Sequence, residues 1–155
     1  MKFLAIDTSG AHLTVAAING EKTVLTYQSD CGVKHSVSLM PEVERAVTEA
    51  GLDLKEADFI ACAVGAGSFT GIRIGVATAK ALAFVSGVKC LSITSFDTIA
   101  YNISGREEKR LLAVINAGHG GYYVCGYDKL KIDFPPKYVL TDELKKLSAE
   151  YTLCA

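Results

Sequence analysis

Gly65-Ala66-Gly67-Ser68-Phe69-Thr70-Gly71-Ile72-Arg73-Ile74-Gly75 follows a uniformly apolar run, Phe59 to Val64, and opens a long apolar stretch that reaches Gly87. The run reads as a strand buried on both faces, the stretch as a helix. Glycines at such a strand-to-helix turn let the backbone come close to a phosphate, another helix or a partner. A P-loop needs a lysine directly after its last glycine, and none stands there. The dinucleotide pattern G-x-G-x-x-G fails too, because three residues separate Gly67 from Gly71. A nucleophile elbow at Ser68 needs glycines two residues to either side, where Ala66 and Thr70 stand. His12, His35 and His119, the three possible bases, occupy no triad context. Ser68 therefore predicts an N-cap.

Close packing is the remaining use. Gly71, Gly75, Ala79, Ala83 and Gly87 recur every four residues and form a stripe of small residues along the predicted helix, Phe69 to Ser86. Arg73 and Lys80 are its only charges and share one face. A helix polar along so narrow a line is expected to be covered on nearly every side, by its own sheet, the first helix and another polypeptide.

Outward from this segment the chain predicts strands at Phe3 to Asp7, His12 to Ile18 and Thr23 to Tyr27, with a two-residue turn at Asn19-Gly20. A helix is predicted over Ser36 to Ala50, because Met40, Val43, Val47 and Ala50 recur at helical spacing and Gly51 stops it; Pro41 marks its first turn or a kink. Val88 to Ile93 reads as a strand and Ser95 to Asn102 as a helix capped by Ser95. Ser104 to Arg110 is polar and marks a boundary. After it the chain starts again. Ala113 to Asn116 resembles Leu4 to Asp7, and Gly121 to Asp128 aligns with His12 to Asn19 at an offset of 109 residues. A helix capped by Thr141 (Thr141 to Ser148) and a strand at Tyr151 to Cys154 complete the reading. The order β-β-β-α-β-α-β-α followed by a partial copy matches the α/β ribonuclease H-like architecture of actin, sugar kinases and heat-shock chaperones. It divides the chain into a complete lobe, 1–105, and a shortened lobe, 106–155.

Composition bounds the function. The 155 residues are 50% hydrophobic and 21% charged, with net charge −1, so no basic footprint for nucleic acid is present. Cys31, Cys62, Cys90, Cys125 and Cys154 form no C-x-x-C pair and read as reduced thiols in a cytoplasmic protein, not as a zinc site. The N-terminal apolar run is too short for a signal peptide, and the charges and glycines of Phe69 to Val88 argue against a membrane span. Asp7, at the end of the first strand, and the adjacent Thr8 are weak candidates for holding a nucleotide's metal and phosphate. His35 reads as a solvated or capping histidine, since Leu39 stands where a second metal ligand would be needed.

Ile6-Asp7-Thr8-Ser9, His35-Ser36, and above all Gly65 to Ala77 with Thr78-Ala79-Lys80-Ala81-Leu82-Ala83 closely resemble the TsaB (YeaZ) family, over about residues 1 to 130. The resemblance implies a noncatalytic protein, without cofactor or metal, in threonylcarbamoyl modification of the adenosine beside the tRNA anticodon. It implies a TsaD-like catalytic partner, a TsaE-like ATPase in the same complex, a homodimer where TsaD is absent, and only indirect contact with tRNA. TsaD carries an H-x-x-x-H motif on its first helix, of which this chain keeps His35 alone. Two helices of the first lobe are then the docking elements, through His35, Met40, Val43, Val47, Gly71, Ile72, Gly75, Ala79 and Ala83. Departures are Ala66 for the family's usual proline, Asn116-Ala117-Gly118 for its Asp-Ala-Arg, and a second lobe shorter than usual. The alternative of a different class is an ATP-binding enzyme of the actin and kinase architecture that uses Asp7.

Overall fold

Apolar residues alternate in the first strands, and that alternation builds one face of a sheet. In a computed structural model, which describes residues 1–29, 34–103 and 110–155, β1 (Lys2–Asp7) pairs antiparallel with β2 (Leu13–Asn19), which pairs antiparallel with β3 (Lys22–Gln28). Leu4 lies opposite Ala17, and Ile6 opposite Val15, with all four buried on the same face. β4 (Phe59–Ala63) runs parallel to β1 and places Ile60 and Cys62 beside Leu4 and Ile6; β5 (Lys89–Ile93) runs parallel to β4. The strand order is β3-β2-β1-β4-β5. Helices α1 (His35–Ala50) and α2 (Phe69–Ser86) cross over between strands, pack on the sheet and close the core with Leu39, Val43, Ala46, Ala79 and Ala83.

Packing divides the chain after Ile93 into two units. The second holds α3 (Ser95–Asn102), β6 (Arg110–Gly118), β7 (Gly121–Asp128), β8 (Lys131–Leu140), α4 (Thr141–Leu147) and β9 (Thr152–Cys154), with strand order β8-β7-β6-β9. Its antiparallel β6-β7-β8 meander, helix, and β9 parallel to β6 repeat the topology of β1 to β4. Together the two units have the ribonuclease H-like architecture. The boundary expected between residues 105 and 106 lies outside the described residues. Helix α3, expected in the first lobe, packs on β6 and β7.

Local details differ from the expectations for identifiable reasons. The β2–β3 turn is centred on Gly20-Glu21, not Asn19-Gly20: Asn19 still pairs with Lys22, and Gly20 alone takes positive φ, +66°. In α1 the core line is His35, Leu39, Val43, Ala46 and Ala50; Met40, off that line, is 48% exposed, and Pro41 lies within the helix. The cap of α3 is Thr94, one residue before Ser95. Its Oγ1 accepts from the Asp97 N–H at 3.1 Å, and the Asp97 carboxylate accepts from the Thr94 backbone in return. Thr141 makes no cap; its hydroxyl donates to the Gly120 carbonyl at 3.1 Å. Strand β8 went unpredicted because it holds Pro135 and Pro136, which a central strand rejects; it is an edge strand.

Candidate functional site

The glycine turn meets the end of β1. Ser68 caps α2, accepting from the Gly71 N–H at 3.2 Å. The Ser68 N–H donates to the Ser9 carbonyl at 2.6 Å, and the fully buried Thr8 hydroxyl donates to the Gly71 carbonyl at 2.7 Å. A Cβ on Gly67 would run into the Ser9 carbonyl, one on Gly71 into the Thr8 carbonyl, and one on Gly75 into the Thr8 hydroxyl, with the Cys62 sulfur 3.3 Å away. Glycine is required at 67 and 71 because the backbone of Ser9 and Thr8 fills the space a side chain would take, while at Gly75 the Thr8 and Cys62 side chains fill it.

This placement corrects the stripe. Gly71, Gly75, Ala79 and Ala83 are the buried line of α2, turned onto β1 and β4, and offer no surface. Val43 lies in the same core. Small residues along a helix mark where it comes closest to a neighbour, and here the neighbour is its own sheet. The rest of α2 is half-buried or exposed, so among the described residues its own chain leaves those sides open. By length and composition alone α2 would suffice to cross a membrane.

The polar candidates are likewise engaged internally. Asp7 Oδ1 accepts from the Ser9 N–H at 2.8 Å and from the Ser9 hydroxyl at 2.7 Å, as a turn-forming aspartate does. His35 is not solvated: it is 3% exposed, and its Nε2, facing the Gly10 carbonyl at 3.1 Å, is assigned as the donor. The ring thus fastens the start of α1 to the β1–β2 turn, and its buried Nδ1 has no partner among the described residues. Burial first, then the neighbouring Cys90 and Asp7, pushes the Cys62 thiol up to about 11, so it stays neutral and unreactive. Ile72 is half-buried with its Cδ1 against Gly65, and Val47 is half-buried against the core. Among the described residues no group of three or more His, Cys, Asp or Glu is arranged to hold a metal.

What remains open is the opposite side of the same helices. Phe69, Arg73, Ala77, Lys80 and Phe84 follow one another at steps of four, four, three and four along the outer line of α2, and all are exposed, Phe69 by 74% and Phe84 by 88%. The Arg73 guanidinium stands 5.2 Å above the Phe69 ring. On the adjacent α1, Val37 (74%) and Met40 are exposed. Large apolar side chains exposed on one helix pair, with an arginine over the Phe69 ring, have the composition of an interaction surface. Sequence reading followed the glycine period and missed Phe69, Phe84 and Val37; the complementary period half a turn away carried the signal.

The family model described as TsaD, tRNA N6-adenosine threonylcarbamoyltransferase, matches residues 29–141. The "tRNA threonylcarbamoyladenosine biosynthesis protein TsaB" of Bacillus subtilis is 33% identical over 128 residues, 82% of this chain and 55% of that protein. Its namesake in Escherichia coli is 32% identical over 130 residues, 83% of this chain and 56% of that protein. The chain thus spans about half the length of the curated relatives it matches. The solved structure of YeaZ from Pseudomonas aeruginosa superposes with a TM-score of 0.80 at 25% identity, over 91% of this chain and 68% of that one. Both the motif around the glycine turn and the two-sheet fold are accounted for by one assignment: the chain belongs to the TsaB (YeaZ) family.

Proposed function

We propose that this protein acts in biosynthesis of threonylcarbamoyladenosine in tRNA as a noncatalytic subunit, and that the outer faces of α1 and α2 dock onto a TsaD-like catalytic subunit. The observation that carries this reading is the contrast between the two sides of α2. Every chemically suggestive group on the inner side is consumed by the fold: Asp7 by its turn, Thr8 and Ser68 by the start of α2, and His35 by Gly10. The outer side leaves Phe69 and Phe84 exposed on a helix whose charges are Arg73 and Lys80. Docking residues are then Met40 with Phe69, Arg73, Lys80 and Phe84, while Gly71, Gly75, Ala79, Ala83 and Val43 support them from beneath. The names of the TsaB relatives support the pathway.

In this reading the complex is cytoplasmic, a TsaE-like ATPase joins it, tRNA is met through the partner, and without TsaD the same face pairs two copies of the chain. Mixing with the cognate TsaD on a sizing column tests the docking; absence of a joint peak overturns it. Rescue of a strain lacking its own TsaB tests the pathway independently.

A further inference from the structure

The outer line of α2 has a seven-residue period. Arg73 and Lys80 occupy one position of it, and Thr70, Ala77 and Phe84 the other. Alternating steps of four and three residues are the geometry of a helix–helix seam. Among the described residues neither Arg73 nor Lys80 forms an ion pair, and α2 contains no acidic residue. On α1, Glu42 is buried against Gln28 of β3 and paired with Arg45, and Glu49 lies two turns along on that same side. Glu44 is the one carboxylate that α1 turns outward on the side of Val37 and Met40.

These charges do not balance in a pair of identical faces. Each copy would bring two cations and one outward carboxylate, so self-pairing leaves two cations, one from each copy, without a partner, an arrangement that weakens association. We propose that Arg73 and Lys80 select the occupant of this face: an apolar helix carrying two carboxylates seven residues, about 10.5 Å, apart, in preference to a second copy of this chain. The inference rests on the docking reading above and adds to it the chemistry of the opposing surface.

The test is a titration of the cognate TsaD with the full chain across a salt series, for wild type and for the double variant R73Q/K80Q. Wild-type affinity should fall as salt rises, and the variant should bind about tenfold more weakly at low salt with a flattened salt dependence. Self-association of the chain alone should move the other way, the variant dimerising more readily than wild type. A variant that binds TsaD with unchanged affinity and unchanged salt dependence overturns the proposal, as does one that dimerises less readily. Loss of binding through misfolding is separated by the reversal R73E/K80E, which should recover a complex with a TsaD whose two facing carboxylates are replaced by lysines; no recovery in a folded variant counts against the pairing. Absence of any wild-type complex at any salt removes the docking reading itself, and this inference with it.

Discussion

Gly75→Ala separates an inward stripe from an outward one by the sign of its effect. On an exposed helix surface the change would stabilise the protein by about 1 kcal/mol, because alanine is the better helix former. In the structure the added methyl collides with the Thr8 hydroxyl and presses on the Cys62 sulfur 3.3 Å away. Overpacking of a filled site costs about 1–3 kcal/mol. If Thr8 is displaced, its hydrogen bond to the Gly71 carbonyl, 2.7 Å long and buried, is lost as well, at about 1 kcal/mol. Set against the propensity gain, the net expectation is a loss of about 1–3 kcal/mol. A unit of this size shifts its Tm by about 4–8 °C for each kcal/mol, so thermal unfolding followed by circular dichroism should show a fall of about 5–20 °C. Unchanged or raised Tm would refute the placement of Gly75 against β1. Gly75→Leu, which on an outward stripe would only block a partner, should here prevent the first unit from folding.

Phe84→Asp is the complementary change: it should leave Tm unaltered, since Phe84 touches little of its own chain, yet abolish the complex with TsaD on a sizing column. Acid should unfold the second unit through Asp97. Burial opposes its charge, but hydrogen bonds from Thr94 and Tyr127 outweigh that and hold the carboxyl below the usual range. A depressed folded value means that the stabilisation is complete above about pH 4, the unfolded value, and is lost as pH falls through the folded one; Asp97→Asn should flatten the acid limb of a circular-dichroism titration. Finally, brief iodoacetamide treatment followed by peptide mass spectrometry should modify the exposed Cys90 and spare Cys62, buried and raised to about 11; equal labelling would contradict the packing of β4 under α2.

Much of the fold was legible because the sequence encodes it twice. Leu4 and Ile6 alternate as a half-buried strand must, Gly51 and Gly87 stop their helices in the left-handed conformation, and the meander recurs after β6 with the same apolar pattern. Illegible parts were those decided by a distant neighbour. The cap of α3 is the exception: Thr94 and Asp97, three residues apart, make the reciprocal bond that selects Thr94 over Ser95, and that spacing is local. Nothing local reveals that residues around two prolines join a sheet at its edge.

The glycine motif shows the same division most clearly at the site. Its small residues say that something approaches α2 closely, but a stripe of glycine and alanine is the same sequence whether the approach is made by β1 or by another chain. The discriminating fact is where Thr8 lies, and that is set by the pairing of β1 with β4, more than fifty residues apart in the chain. Once that pairing turns Gly71 and Gly75 inward, helical geometry turns Arg73 and Lys80 outward, whatever covers them. A short stretch of sequence therefore serves two demands at once: one face must be small enough to accept a buried threonine, and the opposite face, freed from that constraint, can hold the bulky and charged residues with which it meets a partner.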